Sequence, residues 1–206
     1  LNISDGSIFE NCNDDLWHGI QVSHPSNLIN IDGSVSRNIF RDAVAALQLS
    51  DDAKIHIHKN DFENNVTHIS LKNYYEETDD AVVPNTSPIQ ENNFSCMSLN
   101  VYNPDKSLYC IKLENVEGIT IGHPVDGGNS FTQAHYGIHA NNSSFSLRRN
   151  TFTEIQHFQP DVEAEFEESA VYAIGANLYA DRRVEIGGDY VTAFRKNWFY
   201  NNYRSV

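Results

Sequence analysis

The sequence predicts an all-β chain: a right-handed parallel β-helix of about seven rungs with loop insertions, formed by residues 1–206 as a single segment. Three observations predict it. An Asn-x-Phe triplet recurs along the chain, short runs of period-2 alternation flank each copy, and no long stripe with a period of 3.6 residues is present.

The triplet occurs as Asn38-Ile39-Phe40, Asn60-Asp61-Phe62, Asn92-Asn93-Phe94, Asn129-Ser130-Phe131, Asn150-Thr151-Phe152 and Asn197-Trp198-Phe199, with Ser7-Ile8-Phe9 as a variant copy. Successive Phe residues are separated by 31, 22, 32, 37, 21 and 47 positions. The shortest intervals define the unit, and the longer ones contain insertions. Runs such as Ile29-Asn30-Ile31, Ile55-His56-Ile57, Ile119-Thr120-Ile121, Phe145-Ser146-Leu147 and Val184-Glu185-Ile186 precede the triplets. Runs such as Ile20-Gln21-Val22, Leu47-Gln48-Leu49, Ile69-Ser70-Leu71, Ile111-Lys112-Leu113, Ile138-His139-Ala140 and Ile174-Gly175-Ala176 follow them. Such alternation buries one face of a strand. Stacked rungs bring equivalent residues about 4.8 Å apart. The Asn residues are then expected in one amide ladder at a turn, which their tolerance of the left-handed region would suit. Phe9, Phe40, Phe62, Phe94, Phe131, Phe152 and Phe199 are expected in an internal stack.

Composition narrows the partners. Hydrophobic residues make up 40% and charged residues 20%, enough for a packed core. The formal net charge of −14 repels phosphate backbones, so no nucleic-acid partner is expected. No run approaches the roughly 18 apolar residues of a membrane helix, so no membrane insertion is expected of this segment. Cys12, Cys96 and Cys110 have no Cys-x-x-Cys spacing, which argues against zinc. Leu1 and Ile3 already read as strand, and neither end offers a capping helix. The chain is therefore expected to be a segment of a longer protein, with both caps missing.

The repeat resembles the parallel β-helix repeats of secreted and surface bacterial proteins, a group that includes pectate-lyase-like enzymes. The segments Ile119–Phe131 and Val184–Phe199, which run Ile-x-Ile-Gly or Val-x-Ile-Gly to Asn-x-Phe, are similar to long surface proteins exported by the type IX route. The resemblance implies a secreted or cell-surface bacterial location and, as partners, an extracellular polysaccharide or a surface or secretion-machinery protein. It says little about activity.

Candidate site residues fall into three sets. If Ile31 stacks on Ile57, Asp32 lies beside His58 and Asn30 beside His56, and an Asp beside a His can orient a general base. Asp32, His56 and His58 are thus the catalytic candidates, with no Arg or Lys expected on an adjacent rung of that face. Trp17, Tyr74, Tyr75 and Trp198 are candidates for stacking on sugar rings. Asp79 and Asp80, beside Glu76 and Glu77, offer the carboxylate oxygens that calcium takes, though their spacing fits no calcium loop. Calcium is the one cofactor considered, and otherwise none is expected.

Two functional readings follow. The first is a non-catalytic solenoid serving in adhesion, glycan binding or as a stalk. The alternative is a polysaccharide lyase or glycoside hydrolase. A hydrolase needs two carboxyl groups about 5–5.5 Å or 6.5–9.5 Å apart, and the strand faces offer only Asp32 near His58.

Overall fold

In the computed structural model, alternating strands turn three corners per rung and build a right-handed parallel β-helix. The structure describes residues 1–11, 16–23, 28–51, 54–75, 89–96, 108–123, 127–155, 169–174, 184–186 and 198–200.

The first sheet contains β1 (Asn2–Ser4), β4 (Leu28–Asp32), β7 (Lys54–His58), β10 (Ile89–Gln90), β13 (Ile119–Gly122), β16 (Phe145–Arg148) and β19 (Val184–Ile186). The second contains β2 (Ile8–Phe9), β5 (Asn38–Arg41), β8 (Asn60–Glu63), β11 (Asn93–Ser95), β14 (Ser130–Thr132), β17 (Thr151–Thr153) and β20 (Trp198–Tyr200). The third contains β3 (Ile20–Ser23), β6 (Ala45–Ser50), β9 (Thr67–Tyr75), β12 (Tyr109–Glu117), β15 (Tyr136–Asn141) and β18 (Ser169–Ile174). Strands β1–β3 form rung 1, and each later triple forms the next. Six rungs are complete among the described residues, and β19 and β20 supply two sides of a seventh.

Every strand pairing among the described residues is parallel, and equivalent residues of the repeat face each other. Phe9 pairs with Phe40, Phe40 with Phe62, Phe62 with Phe94, Phe94 with Phe131, Phe131 with Phe152 and Phe152 with Phe199. From Phe9 to Phe152 the rings stack with centroids 4.9, 5.1, 5.1, 4.9 and 4.5 Å apart. Isoleucines and leucines of the other two sheets complete a continuous core around this stack.

The asparagines form a ladder at the corner between the first and second sheets. Nδ2 of Asn38 donates to Asn60 Oδ1 (2.8 Å), Asn60 to Asn92 (3.0 Å), Asn92 to Asn129 (3.1 Å) and Asn129 to Asn150 (2.9 Å). The same Oδ1 atoms accept backbone N–H groups from the rung below, as in Asn60 N to Asn92 Oδ1 (2.9 Å). Each Nδ2 also reaches a first-sheet carbonyl one rung back: Ile31 for Asn60, Ile57 for Asn92, Ile89 for Asn129 and Ile121 for Asn150. In the variant copy, Ser7 instead donates its hydroxyl to Ser4 O, and its backbone N–H meets Asn38 Oδ1. Asn197 lies outside the described residues.

The conformational reason expected for these asparagines is corrected by the backbone. None of Asn38, Asn60, Asn92, Asn129 and Asn150 has positive φ. The left-handed residue is the one before, as at Lys59 (54°), Glu91 (54°) and Arg149 (58°). The Asn stays outside the left-handed region because its amide must project inward to reach the next rung. The second corner is turned by Asp42, Asn64, Gln133 and Glu154, and the third by Asp51, Asn73, Asn115 and Asn142, all at positive φ. The third corner carries a ladder of its own, from Asn142 to Asn115 (2.6 Å) and from Asn115 to Asn73 (3.1 Å).

One polar pair sits inside the column. Asn65 accepts from Ala43 N and donates to Phe40 O, which orients its amide, and Nδ2 lies 3.0 Å from His68 Nδ1. His68 Nδ1 therefore accepts, and the proton resides on Nε2, which has no partner. Complete burial pushes the His68 pKa down to about 3.

Two predictions follow. Phe62→Ala should cost about 3–5 kcal/mol, as for other buried Phe truncations. Asn92→Ala should cost about 1–3 kcal/mol for each buried group it orphans, among them Ile57 O and Asn60 N–H. Chemical denaturation of both variants checks these values. His68 gives a pH signature. Its folded pKa lies below the unfolded value, so its contribution to stability is complete above about pH 6.5 and is lost as pH falls toward 3. The loss should be roughly 1.4 kcal/mol per pH unit. Half-buried His56 and His139, both shifted down chiefly by burial, add to it in the same direction. Denaturation midpoints between pH 6.5 and 4 should fall less steeply for His68→Leu than for the parent.

Candidate functional site

Register builds the site. Asn30 pairs with His56, Asp32 with His58, and His58 with Gln90, so consecutive rungs display these side chains along the outer face of the first sheet. The expected pairs form contacts. His56 Nδ1 lies 2.8 Å from Asn30 Oδ1, and His58 Nδ1 lies 3.0 Å from Asp32 Oδ1. Ser34 donates its hydroxyl to the same Asp32 oxygen at 2.5 Å and sits 3.2 Å from His58 Nδ1. The two imidazoles lie 5.7 Å apart, tilted by 40°.

Glu91 is a partner that the sequence did not reveal. Its Oε1 is 3.5 Å from His58 Nε2, and its Oε2 is 3.6 Å from Lys59 Nζ. His58 is thus flanked by carboxylates at both ring nitrogens, with Asp32 one rung below and Glu91 one rung above. The expectation of no Lys or Arg concerned adjacent rungs of that face; on the same rung Lys59 follows His58 directly, and its left-handed φ swings it to the corner beside Glu91. Arg37 spans the same corner, donating to Asp61 Oδ1 (2.6 Å), Asn60 O (3.3 Å) and Glu91 O (2.8 Å). Glu91 had one legible signal, its place just before a ladder Asn, like Lys59 and Arg149.

Electrostatics follow from this packing. Burial raises the Asp32 pKa, but hydrogen bonds from Ser34 and His58 and the field of the two imidazoles outweigh it, so Asp32 lies below its ordinary value. His56 is lowered by burial and by His58, against the opposing charge of Asp32. The arrangement places the His58 ring between two carboxylates. It does not match a nucleophile triad, because Ser34 and Asp32 share Nδ1 while Nε2 faces Glu91.

The ring-stacking candidates take different places. Trp17 donates its indole N–H to Arg41 O at 2.7 Å and lies against Phe9, with centroids 6.3 Å apart and planes 21° apart. It packs on the core as a lid over the Phe stack. Tyr74 is 7% exposed: the left-handed turn at Asn73 sends it inward opposite Val116. Tyr75 pairs with Glu117 and Trp198 with Thr151 through the backbone. Asp79 and Asp80 lie outside the described residues, as do Glu76 and Glu77. Among the described residues, no group of three His, Cys, Asp or Glu side chains is placed to hold a metal ion.

An aromatic cluster on the third sheet went unnoticed in the sequence. His139 packs against Tyr109, Tyr136 and Tyr172, at centroid distances of 5.0, 5.2 and 5.3 Å. Tyr109 stacks on Tyr136 at 5.4 Å. Lys112 Nζ lies 5.5 Å from the Tyr109 centroid and 2.7 Å from Glu114 Oε1. Its signal was a repeated spacing, since Tyr109 and Lys112 fall in register with Tyr136 and His139 one rung later. Comparison with protein-family models, with curated proteins and with solved structures finds no match to this chain.

Proposed function

We propose that this chain is a non-catalytic solenoid segment of a secreted or cell-surface protein, acting as a stalk or as an adhesive, glycan-binding column. The observation that carries this reading is the pairing of outward polar side chains along the axis, one rung to the next. Arg41 pairs with Glu10, Arg37 with Asp61, Asn93 with Asp61, Gln133 with Glu154, and Lys72 with Glu114. Asp32, His58 and Glu91 obey the same rule. Side chains engaged in this way hold rungs together, which is the requirement of a column under load. An extracellular polysaccharide or a surface protein is the partner that such a column would present or bind.

A second reading, a polysaccharide lyase or glycoside hydrolase, draws on the acid–base character of Asp32, His58 and Glu91. The two readings separate by product. The full chain should release neither unsaturated nor new reducing ends from pectin, alginate, glycosaminoglycan or neutral glycans, with or without calcium. Release that disappears in His58→Ala or Asp32→Ala would establish the enzyme instead. In the structural role, Asp32→Ala should lower stability by about 1 kcal/mol or less, the usual worth of a partly exposed ion pair.

A further inference from the structure

Rung 4 departs from its neighbours at the corner between the second and third sheets. In rungs 2, 3 and 5 that corner is a left-handed residue, Asp42, Asn64 or Gln133, followed by a buried one, Ala43, Asn65 or Ala134. Rung 4 places Cys96 at the first of these positions, and the column resumes at Leu108 and Tyr109, whose N–H groups both meet Val66 O. The two ends are nonetheless held in register. Ser95 pairs with Glu63 and Thr132, and Tyr109 pairs with Thr67 and Tyr136. In the flanking rungs the matching residues are neighbours around one corner, Glu63 with Thr67 and Thr132 with Tyr136. Ser95 and Tyr109 are therefore held at the separation of residues four apart, and Cys96 and Cys110 directly follow them.

Cys96 occupies the rung-4 position equivalent to Asn64 and Cys110 the one equivalent to His68, so both cysteines lie at this one corner. Cys110 is fully buried, Cys96 is partly exposed, and neither is in a disulfide. The two sulfurs sense each other: burial raises the Cys110 pKa, and the charge of a Cys96 thiolate raises it further.

We propose that Cys96 and Cys110 form a redox-responsive pair that closes to an intramolecular disulfide by exchange with a small-molecule disulfide, clasping the base of the 97–107 insertion. The accessible thiol reacts first. Cys96 thiolate attacks one sulfur of oxidised glutathione, forming a mixed disulfide and expelling one glutathione thiolate, which takes up a proton. Cys110 then gives up its proton to solvent and attacks the Cys96 sulfur, and the second glutathione leaves as a thiol. Two protein thiols are oxidised and one glutathione disulfide is reduced, so the exchange balances. The order follows exposure, because a buried, protonated Cys110 is a poor first nucleophile. An oxidising compartment would keep the clasp closed. The proposal stands apart from the stalk reading, since it requires only the geometry of this corner.

The test treats the full folded chain with oxidised glutathione, alkylates the remaining thiols and maps peptides without reduction. The expected product is one peptide pair joined through Cys96 and Cys110, with Cys12 in neither partner and no retained glutathione. Its midpoint of thermal unfolding should rise and return on reduction with dithiothreitol. Cys110→Ala should instead stop at a stable glutathione adduct on Cys96, which shows the order of attack. A stable adduct on Cys96 in the parent chain, a link through Cys12, a dimer joined between chains, or full alkylation of both cysteines would each overturn the proposal.

Discussion

The structure depends on one constraint: the side-chain amide at the first corner must donate and accept at the same time, inside the column. Asn60 shows the full demand. Its Nδ2 serves Ile31 O and Asn92 Oδ1, while its Oδ1 accepts from Asn38. A carboxylate would lack the donor, and a hydroxyl could not span to the next rung, as Ser7 shows by turning back to Ser4 O. Once successive amides are linked in this way, strand register is set on both sides of the corner. The Phe two residues later must then stack on its equivalent, and a one-residue slip would break the ladder and the stack together. Buried hydrogen bonds specify the alignment, and the aromatic and aliphatic core supplies most of the burial.

This explains which features were legible in the sequence. Asn-x-Phe is visible because both residue types are required by chemistry, one for its amide and the other for its ring. The pairing of Asp32 with His58 followed from the Ile31–Ile57 register, and the structure places them in contact. The left-handed positions were misplaced because they carry no residue signature. Lys59, Glu91 and Arg149 adopt positive φ although none is a preferred residue for it. The strand geometry around them imposes that conformation. Glu91 was missed because β10 is only two residues long, too short to show alternation. Tyr74, a sugar-stacking candidate in the sequence, is buried instead because β9 runs on to Tyr75 and the turn at Asn73 within it sends the ring inward. The second asparagine ladder was written in the sequence as an Asx four residues after Leu47, Ile69, Ile111 and Ile138, at Asp51, Asn73, Asn115 and Asn142.

Register also governs the outer surface. A parallel column sets each outward residue beside its equivalent above and below, so a charge is stabilised most cheaply by an opposite or hydrogen-bonding partner one rung away. Arg37 with Asp61 and Lys72 with Glu114 follow that logic, as does His58 between Asp32 and Glu91. Acid–base residues in proximity therefore arise here from the same rule that pairs ordinary surface charges. Contact alone does not distinguish a catalytic group from a structural one in this fold. The distinction rests on whether a reacting atom could reach an unengaged ring nitrogen, and both nitrogens of His58 face carboxylates.

The ladder finally shapes how the chain crosses its own corner. At its corner the shortest crossing is a single residue, as at Lys59, Glu91 and Arg149. Longer crossings occur there in rung 1, between Ser4 and Ser7, in rung 2, between Asp32 and Asn38, and in rung 5, between Gly122 and Asn129, and in rung 7 eleven positions separate Ile186 from Trp198. The crossings of rungs 2 and 5 share a device. Both are bordered by glycines where backbones nearly touch. A Cβ on Gly33 would lie 2.2 Å from Lys59 O, and one on Gly128 would lie 1.8 Å from Arg149 O. The side chain is given up so that the chain can return tightly enough to place its Asn in the ladder. The long sequence separations from Tyr75 to Ile89, from Cys96 to Leu108 and from Ile155 to Ser169 fall at the other two corners, which the buried amide ladder does not cross. The amide contacts from Asn60 to Asn92 and from Asn92 to Asn129 bridge the first two of these separations without a gap. Sequence added at those corners changes what the column displays and leaves what holds it together untouched.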